Sequence, residues 1–255
     1  MVFVGAGVLP CWPQQVPTSN SSVPDLLTKL HSRHWGERID ALDEIASDQA
    51  FVHSQRTQAA IMDLLDQEGE AFREDRGFNP VAAASAEDDG REEYSQYLSS
   101  LEVVANMFVD WNDPRQACTM VYAGDISYPS SAPEAAARAR AAMPCLLKRS
   151  KSKFAIYRDI ASPMLVEATG KAQDTLDAET AQAARQVVLS NLRDTDERVR
   201  QSTVLALGKF GGTDMIPALE QVAADDPATE VDGRPIRKSA AQAIEEIQKR
   251  TEGSR

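Results

Sequence analysis

The chain contains three histidines, and two of them are close enough in sequence to bind one metal ion. His31 and His34 are three residues apart, a spacing that places both side chains on one face of a helix. A third ligand would have to come from His53, Glu37 or Asp40. Because polar helix surfaces produce such pairs without any metal, we expect no metal or other cofactor here.

Other catalytic motifs are incomplete. Residues 5–7 read Gly-Ala-Gly after an apolar run, like the start of a dinucleotide-binding turn, but Pro10 replaces the third glycine and no βαβ unit follows. The sequence has no nucleophile elbow and no phosphate-binding loop. Cys118 and Cys145 lie in apolar helical segments, which predicts buried, unpaired thiols. We therefore expect no catalytic residue.

One segment concentrates positive charge. Five basic residues fall within eleven positions that contain no acid: Lys148, Arg149, Lys151, Lys153 and Arg158. With Phe154 and Tyr157 between them, they could bind an acidic partner, a phosphate or an anionic surface. The alternative is a solvated helix start that pairs with acidic segments of the same chain.

Composition excludes several classes of protein. The 255 residues carry a net charge of −12, which argues against nucleic-acid binding because that affinity depends on lysine and arginine. No apolar stretch approaches the ~20 residues of a membrane-spanning helix. Three cysteines are too few for a disulfide framework. The chain is long enough to bury a substantial core.

The elements that would position any site are helices. Apolar residues recur at helical spacing over 51–68 and 92–109, and no strand alternation is sustained. Asp113-Pro114 and Ser162-Pro163 each place a capping side chain before a proline, which predicts two helix starts. Three glycines are placed where helices should end: Gly170, Gly211 and Gly253. We predict an all-α chain of about ten helices.

The C-terminal third contains an internal repeat. Residues 197–208 and 234–245 align at an offset of 37 positions, and each segment follows another predicted helix. In this alignment Val199 matches Ile236, and Arg200 matches Arg237. Helix pairs repeating at this period indicate an α-solenoid, in which each pair buries its apolar face against its neighbours.

The repeat residues resemble the HEAT repeat family, in particular its phycobilisome-lyase-type, armadillo-like members. Residues 196–211 resemble the second helix of such a repeat, and residues 35–45 resemble a more degenerate copy. The resemblance is clearest over 178–250. It implies a superhelix of antiparallel helix pairs over residues 25–252, with irregular middle repeats.

The resemblance also implies structural roles for two residues. In such folds the acid at the turn between helices and the arginine early in the second helix bond within or between repeats, which assigns Asp196 and Arg200 to the scaffold. Arg237 fits this role less well because Gly233-Arg234-Pro235 replaces the acidic turn. The acidic connection 225–233 lacks the spacing of a calcium loop, and we expect it to be solvated.

The N-terminus, residues 1–24, is predicted to be separate from the array. An apolar run, Val2–Leu9, precedes a proline-rich linker that ends at Pro24. The run could be a signal remnant, which favours an exported protein, or a loosely packed end of a cytoplasmic one.

Two functions follow from the resemblance. The first is a non-catalytic scaffold or adaptor that binds a protein partner through the concave surface of its second helices. Six residues are candidates for that surface: Arg38, Arg198, Arg200, Gln201, Arg237 and Lys238. The alternative is a phycobilisome-lyase-like enzyme that acts on a tetrapyrrole chromophore. Bound pigment would distinguish the two.

Overall fold

The structure is a computed structural model that describes residues 22–71, 91–123, 126–228, 231 and 233–253. The predicted N-terminal signal remnant and Cys11 lie outside these residues. The described part is all-α and has no strand, apart from an isolated bridge between Val231 and Arg234. The all-α prediction is confirmed. None of the described helices combines the length and hydropathy that a bilayer crossing requires.

The described residues form twelve α-helices and one short 3-10 turn. The first six helices are α1 (Val23–Leu30), α2 (Trp35–Ser47), α3 (Gln49–Val52), α4 (Gln55–Ala71), α5 (Arg91–Asn106) and α6 (Pro114–Ala123). The next six are α7 (Ala132–Arg149), α8 (Ala155–Ala172), α9 (Ala178–Asn191), α10 (Glu197–Phe210), α11 (Ile216–Asp225) and α12 (Ile236–Glu252). The 3-10 turn, Thr213–Met215, directly precedes α11.

The second half of the array is regular. Helices α7 and α8, α9 and α10, and α11 and α12 form three consecutive pairs. The second helices lie side by side, with α10 packed between α8 and α12. Because each pair buries its apolar face against the neighbouring pair, this is the predicted α-solenoid.

The first half is less regular. Helix α1 packs on α2, but α2 also packs on α5, and α4 packs on α6. Helix α6 then contacts α7 and joins this part to the regular pairs. One hydrophobic core runs through both parts, from Leu26 of α1 to Ile247 of α12.

Small residues allow the second helices to approach closely. A Cβ at Gly208 of α10 would lie 2.6 Å from the Glu246 carboxylate and 3.3 Å from Ala243 of α12. Alanines at the helix contacts, such as Ala161 and Ala240, are fully buried. The tight packing of α10 on α12 therefore depends on a missing side chain.

Helix ends follow the sequence signals in part. Helix α6 begins at Pro114, where Asp113 accepts the Arg115 N–H at 2.8 Å, as predicted. Gly211 and Gly253 are the C-caps of α10 and α12, also as predicted. Gly170 was expected to end a helix, but α8 continues to Ala172.

The helix start predicted at Ser162-Pro163 is wrong, because both residues lie inside α8. Proline has no N–H for the carbonyl four residues earlier, here that of Asp159. The Ser202 hydroxyl of α10 lies 3.3 Å from that carbonyl and 3.2 Å from the Val199 carbonyl of its own helix, so it can donate to either. Ser162 in turn donates to the Arg158 carbonyl at 2.6 Å and accepts from Asn191 at 2.6 Å. The neighbouring helix α10 therefore offers a donor to the one carbonyl that the proline leaves open.

The two cysteines predicted as unpaired thiols are bonded to each other. A disulfide joins Cys118 of α6 to Cys145 of α7, with the Cα atoms 5.5 Å apart. The prediction was wrong because 27 residues separate the two positions, and only the packing of α6 on α7 brings them together. Their separate burial gives no sign of this pairing.

Candidate functional site

The second helices present one continuous surface, which we call the second-helix surface. On α10, a stripe at helical spacing lies at the surface, where Arg198, Leu205 and Lys209 are exposed and Ser202 is partly exposed. The matching positions of α8 are all partly exposed: Ile156, Ile160, Pro163 and Glu167. On α12, two positions that match the α10 stripe at the offset of 37 residues also reach the surface: Gln242 and Glu246. Helix α8 packs on α10. Burial raises the pKa of Glu167 on α8, and the positive charges of Lys171 and of Lys209 on α10 counter part of that rise.

Arginines near the start of three second helices fix the turns that precede them. Arg38, Arg158 and Arg200 each occupy the fourth position of their helix. Each donates to the carbonyl six residues earlier, on Ser32 at 2.6 Å, Ser152 at 2.7 Å and Asp194 at 2.8 Å respectively. The same contact therefore recurs along the array.

Two of these arginines also bind the turn of the next pair. Arg158 donates to both carboxylate oxygens of Asp194, at 2.6 and 2.8 Å. Arg200 does the same to Asp226, at 2.7 and 3.1 Å. Arg237 completes the series by donating to the Asp226 carbonyl at 2.8 Å. We call this chain of contacts the arginine ladder.

The ladder is largely shielded from water. The side chains of Arg200 and Asp226 are 8% and 2% exposed. Burial alone would raise the pKa of Asp226, but hydrogen bonds from Arg200 and from the Ala228 N–H lower it overall. The pKa of Asp194 is lowered in the same way, against its own burial, by Arg158 and the Asp196 N–H. Both aspartates remain charged.

The ladder changes the interpretation of two partner-binding candidates. Arg200 and Gln201 are buried, and Gln201 donates to Ser239 of α12 at 3.1 Å. Both side chains are used in contacts between helices, because Arg200 binds Asp226 of the next turn. The scaffold role predicted for Arg200 fits this geometry. Asp196 caps α10 by accepting the Arg198 N–H at 2.9 Å.

The other four candidates reach the surface to different extents. Arg198, Arg237 and Lys238 are exposed, although Arg237 also holds the Asp226 carbonyl. Arg38 is half-buried, and its guanidinium lies 4.5 Å from the ring centre of Trp35 and 5.3 Å from that of Tyr97.

The expectation of a solvated 225–233 connection is wrong for Asp226, which is buried in the ladder. Sequence spacing gave no sign of this, because the residue that neutralises Asp226 lies 26 positions away. Residues 229, 230 and 232 lie outside the described part.

The five basic residues of 148–158 do not form one patch. Lys148, Lys151 and Lys153 are exposed, whereas Arg149 is buried and Arg158 belongs to the ladder. The pairing of Arg158 with Asp194 matches the alternative in which this segment binds the chain's own acids. The segment also lies at the end of α7 and the start of α8, so it is not a single helix start.

Arg149 lies inside the protein. Its guanidinium donates to the Val121 carbonyl and lies 5.8 and 5.9 Å from the ring centres of Tyr122 and Tyr157. Burial lowers its pKa to about 10, while Tyr122, Tyr157 and Glu102 act in the opposite direction. The residue therefore joins α6 to α7 and is withdrawn from any external ligand.

The histidines do not form the face that their spacing predicts. His31 is the C-cap of α1, and His34 is the N-cap of α2, so the two do not share a helix. His53 is the C-cap of α3, and all three are exposed. Among the residues that the structure describes, no group of three or more His, Cys, Asp or Glu could hold a metal ion.

Sequence reasoning missed the apolar part of the second-helix surface. Leu205 is 38% exposed, and the two isoleucines of α8 are partly exposed beside it. The sequence did contain a signal for this surface, because the spacing of the α10 stripe recurs in α8 at Ile156, Ile160 and Pro163. Three of the arginines also share a signal, since Arg38, Arg158 and Arg200 each follow a serine or aspartate by six positions.

One segment of the chain is similar to a known protein family. Residues 164–245 match the family model described as HEAT repeats. The match covers the second half of α8 and all of α9, α10 and α11, and it ends within α12. It supports the HEAT assignment made from the repeat residues. No curated protein matches the chain.

Proposed function

We propose that this protein is a non-catalytic scaffold that binds a protein partner through the second-helix surface. One observation carries the proposal: Leu205 of α10 and the isoleucines of α8 are left partly exposed between charged side chains. An apolar centre with a polar rim is the usual composition of a protein interface. Arg198 and Lys209 would contribute to that rim.

The rigidity of the array supports this function. The arginine ladder joins successive turns, and a surface that is fixed before binding loses less conformational entropy when a partner docks. Arrays of helix pairs usually present such a surface on a concave side, because each repeat adds a small rotation. We propose that the second helices form that side.

We propose a smaller set of residues for the partner surface, chosen by their exposure. We retain Arg38, Arg198, Arg237 and Lys238, and we add Leu205 as the apolar contact. Arg200 and Gln201 support the surface from beneath. Arg198, Lys238 and Leu205 are exposed and their side chains take no part in the arginine ladder, so their substitution should leave folding intact.

The test is capture of partners by wild-type protein and the Leu205→Glu variant in parallel. Val103→Glu on α5 is the matched control, because Val103 is 60% exposed and lies outside the second-helix surface. We expect a stoichiometric protein that wild type and the control retain and the Leu205 variant loses, with unchanged circular dichroism. Identical partners for all three proteins would contradict the proposal.

Within the HEAT family, residues 196–211 favour the phycobilisome-lyase-type repeat, and we propose that subtype. It does not imply lyase activity, because function depends on the site and not on the fold. An absorbance spectrum of the captured material tests the alternative directly. Bound tetrapyrrole would absorb visible light and would contradict a purely structural role.

The disulfide between Cys118 and Cys145 supports the exported alternative for localisation. Disulfides persist in oxidising compartments and are rare where cellular thiols are kept reduced. Thiol counting on the native protein, by alkylation before and after reduction, tests this assignment. Alkylation of both cysteines without prior reduction would contradict it.

A further inference from the structure

A groove runs along the contact between α4 and α6, and none of its lining residues belongs to the second-helix surface. Its volume is about 760 Å³, and one wall is a single face of α4 that includes Met62, Asp63 and Asp66. The opposite wall is formed by the start of α6 and the segment before it. The disulfide at Cys118 fixes this second wall to α7.

The groove is strongly acidic. Four carboxylates line it, against the single guanidinium of Arg115: Asp63, Asp66, Asp110 and Asp113. Within the described residues, Asp63, Asp110 and Asp113 form no ion pair. The groove therefore carries a net negative charge that a positively charged ligand could neutralise.

Local hydrogen bonds hold part of this charge in place. Asp113 accepts the Arg115 N–H at 2.8 Å, and this contact, with Gln116, lowers its pKa despite a small opposing effect of burial. Asp110 accepts the Asn112 N–H at 2.9 Å. Carboxylates fixed in this way lose little freedom when a cation approaches.

The groove also has apolar side chains between its charges. Met62 and Phe108 are half-buried in its lining, and Pro114 is exposed beside them. Apolar contacts flanked by carboxylates match the long methylene stems of lysine and arginine, whose charged ends extend beyond the apolar surface. A small metal ion would not use these contacts.

We propose that this groove docks a lysine- and arginine-rich segment of a protein partner. The negative charge of the groove requires a positively charged segment, and the apolar lining favours a peptide over a simple cation. The site is separate from the surface proposed above, so substitutions at Leu205 should leave it unchanged. The protein would then bind partners at two positions along its array.

The test measures binding of a fluorescein-labelled peptide that repeats lysine, leucine and arginine. Fluorescence anisotropy compares wild type, the double variant Asp63→Asn with Asp113→Asn, and a control with Asp40→Asn and Asp43→Asn. Asparagine at position 113 keeps the helix cap. The control removes the same charge from exposed positions of α2. Circular dichroism verifies the fold of each variant.

We expect the groove variant to bind the peptide about threefold to tenfold more weakly, from the loss of two exposed charge pairs. The control should bind like wild type, and a peptide with glutamate at every basic position should not bind. If both variants bind the peptide more weakly by the same factor, the loss reflects the net charge of the protein, and the groove is not the binding site. If the protein associates with itself and the groove substitutions abolish that association, the groove binds a second copy of this chain and not a different protein.

Discussion

Arg200 and Asp226 form a buried ion pair that joins α10 to the turn before α12. Two hydrogen bonds connect them, from Nε to Oδ2 at 2.7 Å and from Nη2 to Oδ1 at 3.1 Å. Nη1 of the same arginine donates to the Asp194 carbonyl at 2.8 Å. The Arg200 side chain thus connects the turn before α10 to the turn before α12.

Substitution of Arg200 by alanine should strongly destabilise the protein. Removing one partner leaves the Asp226 carboxylate buried and uncompensated, which typically costs about 3–5 kcal/mol. Arg198→Ala is the matched control, because it removes an exposed arginine from the same helix and should cost less than about 0.5 kcal/mol. Urea unfolding measures both. Similar midpoints for the two variants would contradict the role of the ladder.

The ladder also predicts how stability depends on pH. Because the pKa of Asp226 is lower in the folded state, its contribution is complete above the unfolded value of about 4. It is lost as the pH falls through the lower folded value. Asp226→Asn should therefore lose less stability than wild type between about pH 6 and about pH 3.

The measurement is the urea midpoint of each protein at the two pH values. Asp225→Asn, at the neighbouring exposed residue, should retain the pH dependence of wild type. If the two variants respond to acid alike, the charge of Asp226 does not stabilise the fold.

The disulfide should stabilise the junction between α6 and α7. It closes a loop with a sequence separation of 27 residues, for which chain entropy gives about 3.5 kcal/mol. We expect that loss in the free energy of unfolding of a Cys118→Ala, Cys145→Ala double variant. Cys11→Ala should have no comparable effect. A double variant as stable as wild type in non-reducing buffer would show that the pair is not oxidised in solution.

The fold was predictable from the sequence because it depends on local signals. Apolar residues at helical spacing predict the helices, and the offset of 37 residues predicts the stacking of α10 on α12. The helix start at Asp113 and the helix end at Gly211 were predicted correctly for the same reason, since a cap depends on its immediate neighbours. Such features need no knowledge of distant contacts.

The site was less predictable because its residues acquire their roles through tertiary contacts. Arg200 and Arg198 are two positions apart in one helix, yet one is buried against Asp226 and the other is exposed. Cys118 and Cys145 each appear as ordinary buried residues until α6 packs on α7. A sequence pattern identifies which residues are polar, but the partner of each depends on which helices become neighbours.

Pro163 and Ser202 should be energetically coupled. The proline leaves the Asp159 carbonyl without a helical N–H donor, and the Ser202 hydroxyl, 3.3 Å away across the helix contact, can donate to it instead of to the Val199 carbonyl of its own helix. Ser202→Ala should therefore cost about 0.5–1 kcal/mol in the wild-type background. In a Pro163→Ala background, residue 163 supplies the missing N–H, and the same serine substitution should cost almost nothing. A double-mutant cycle from urea unfolding measures the difference. Equal costs in both backgrounds would mean that the serine does not compensate for the proline.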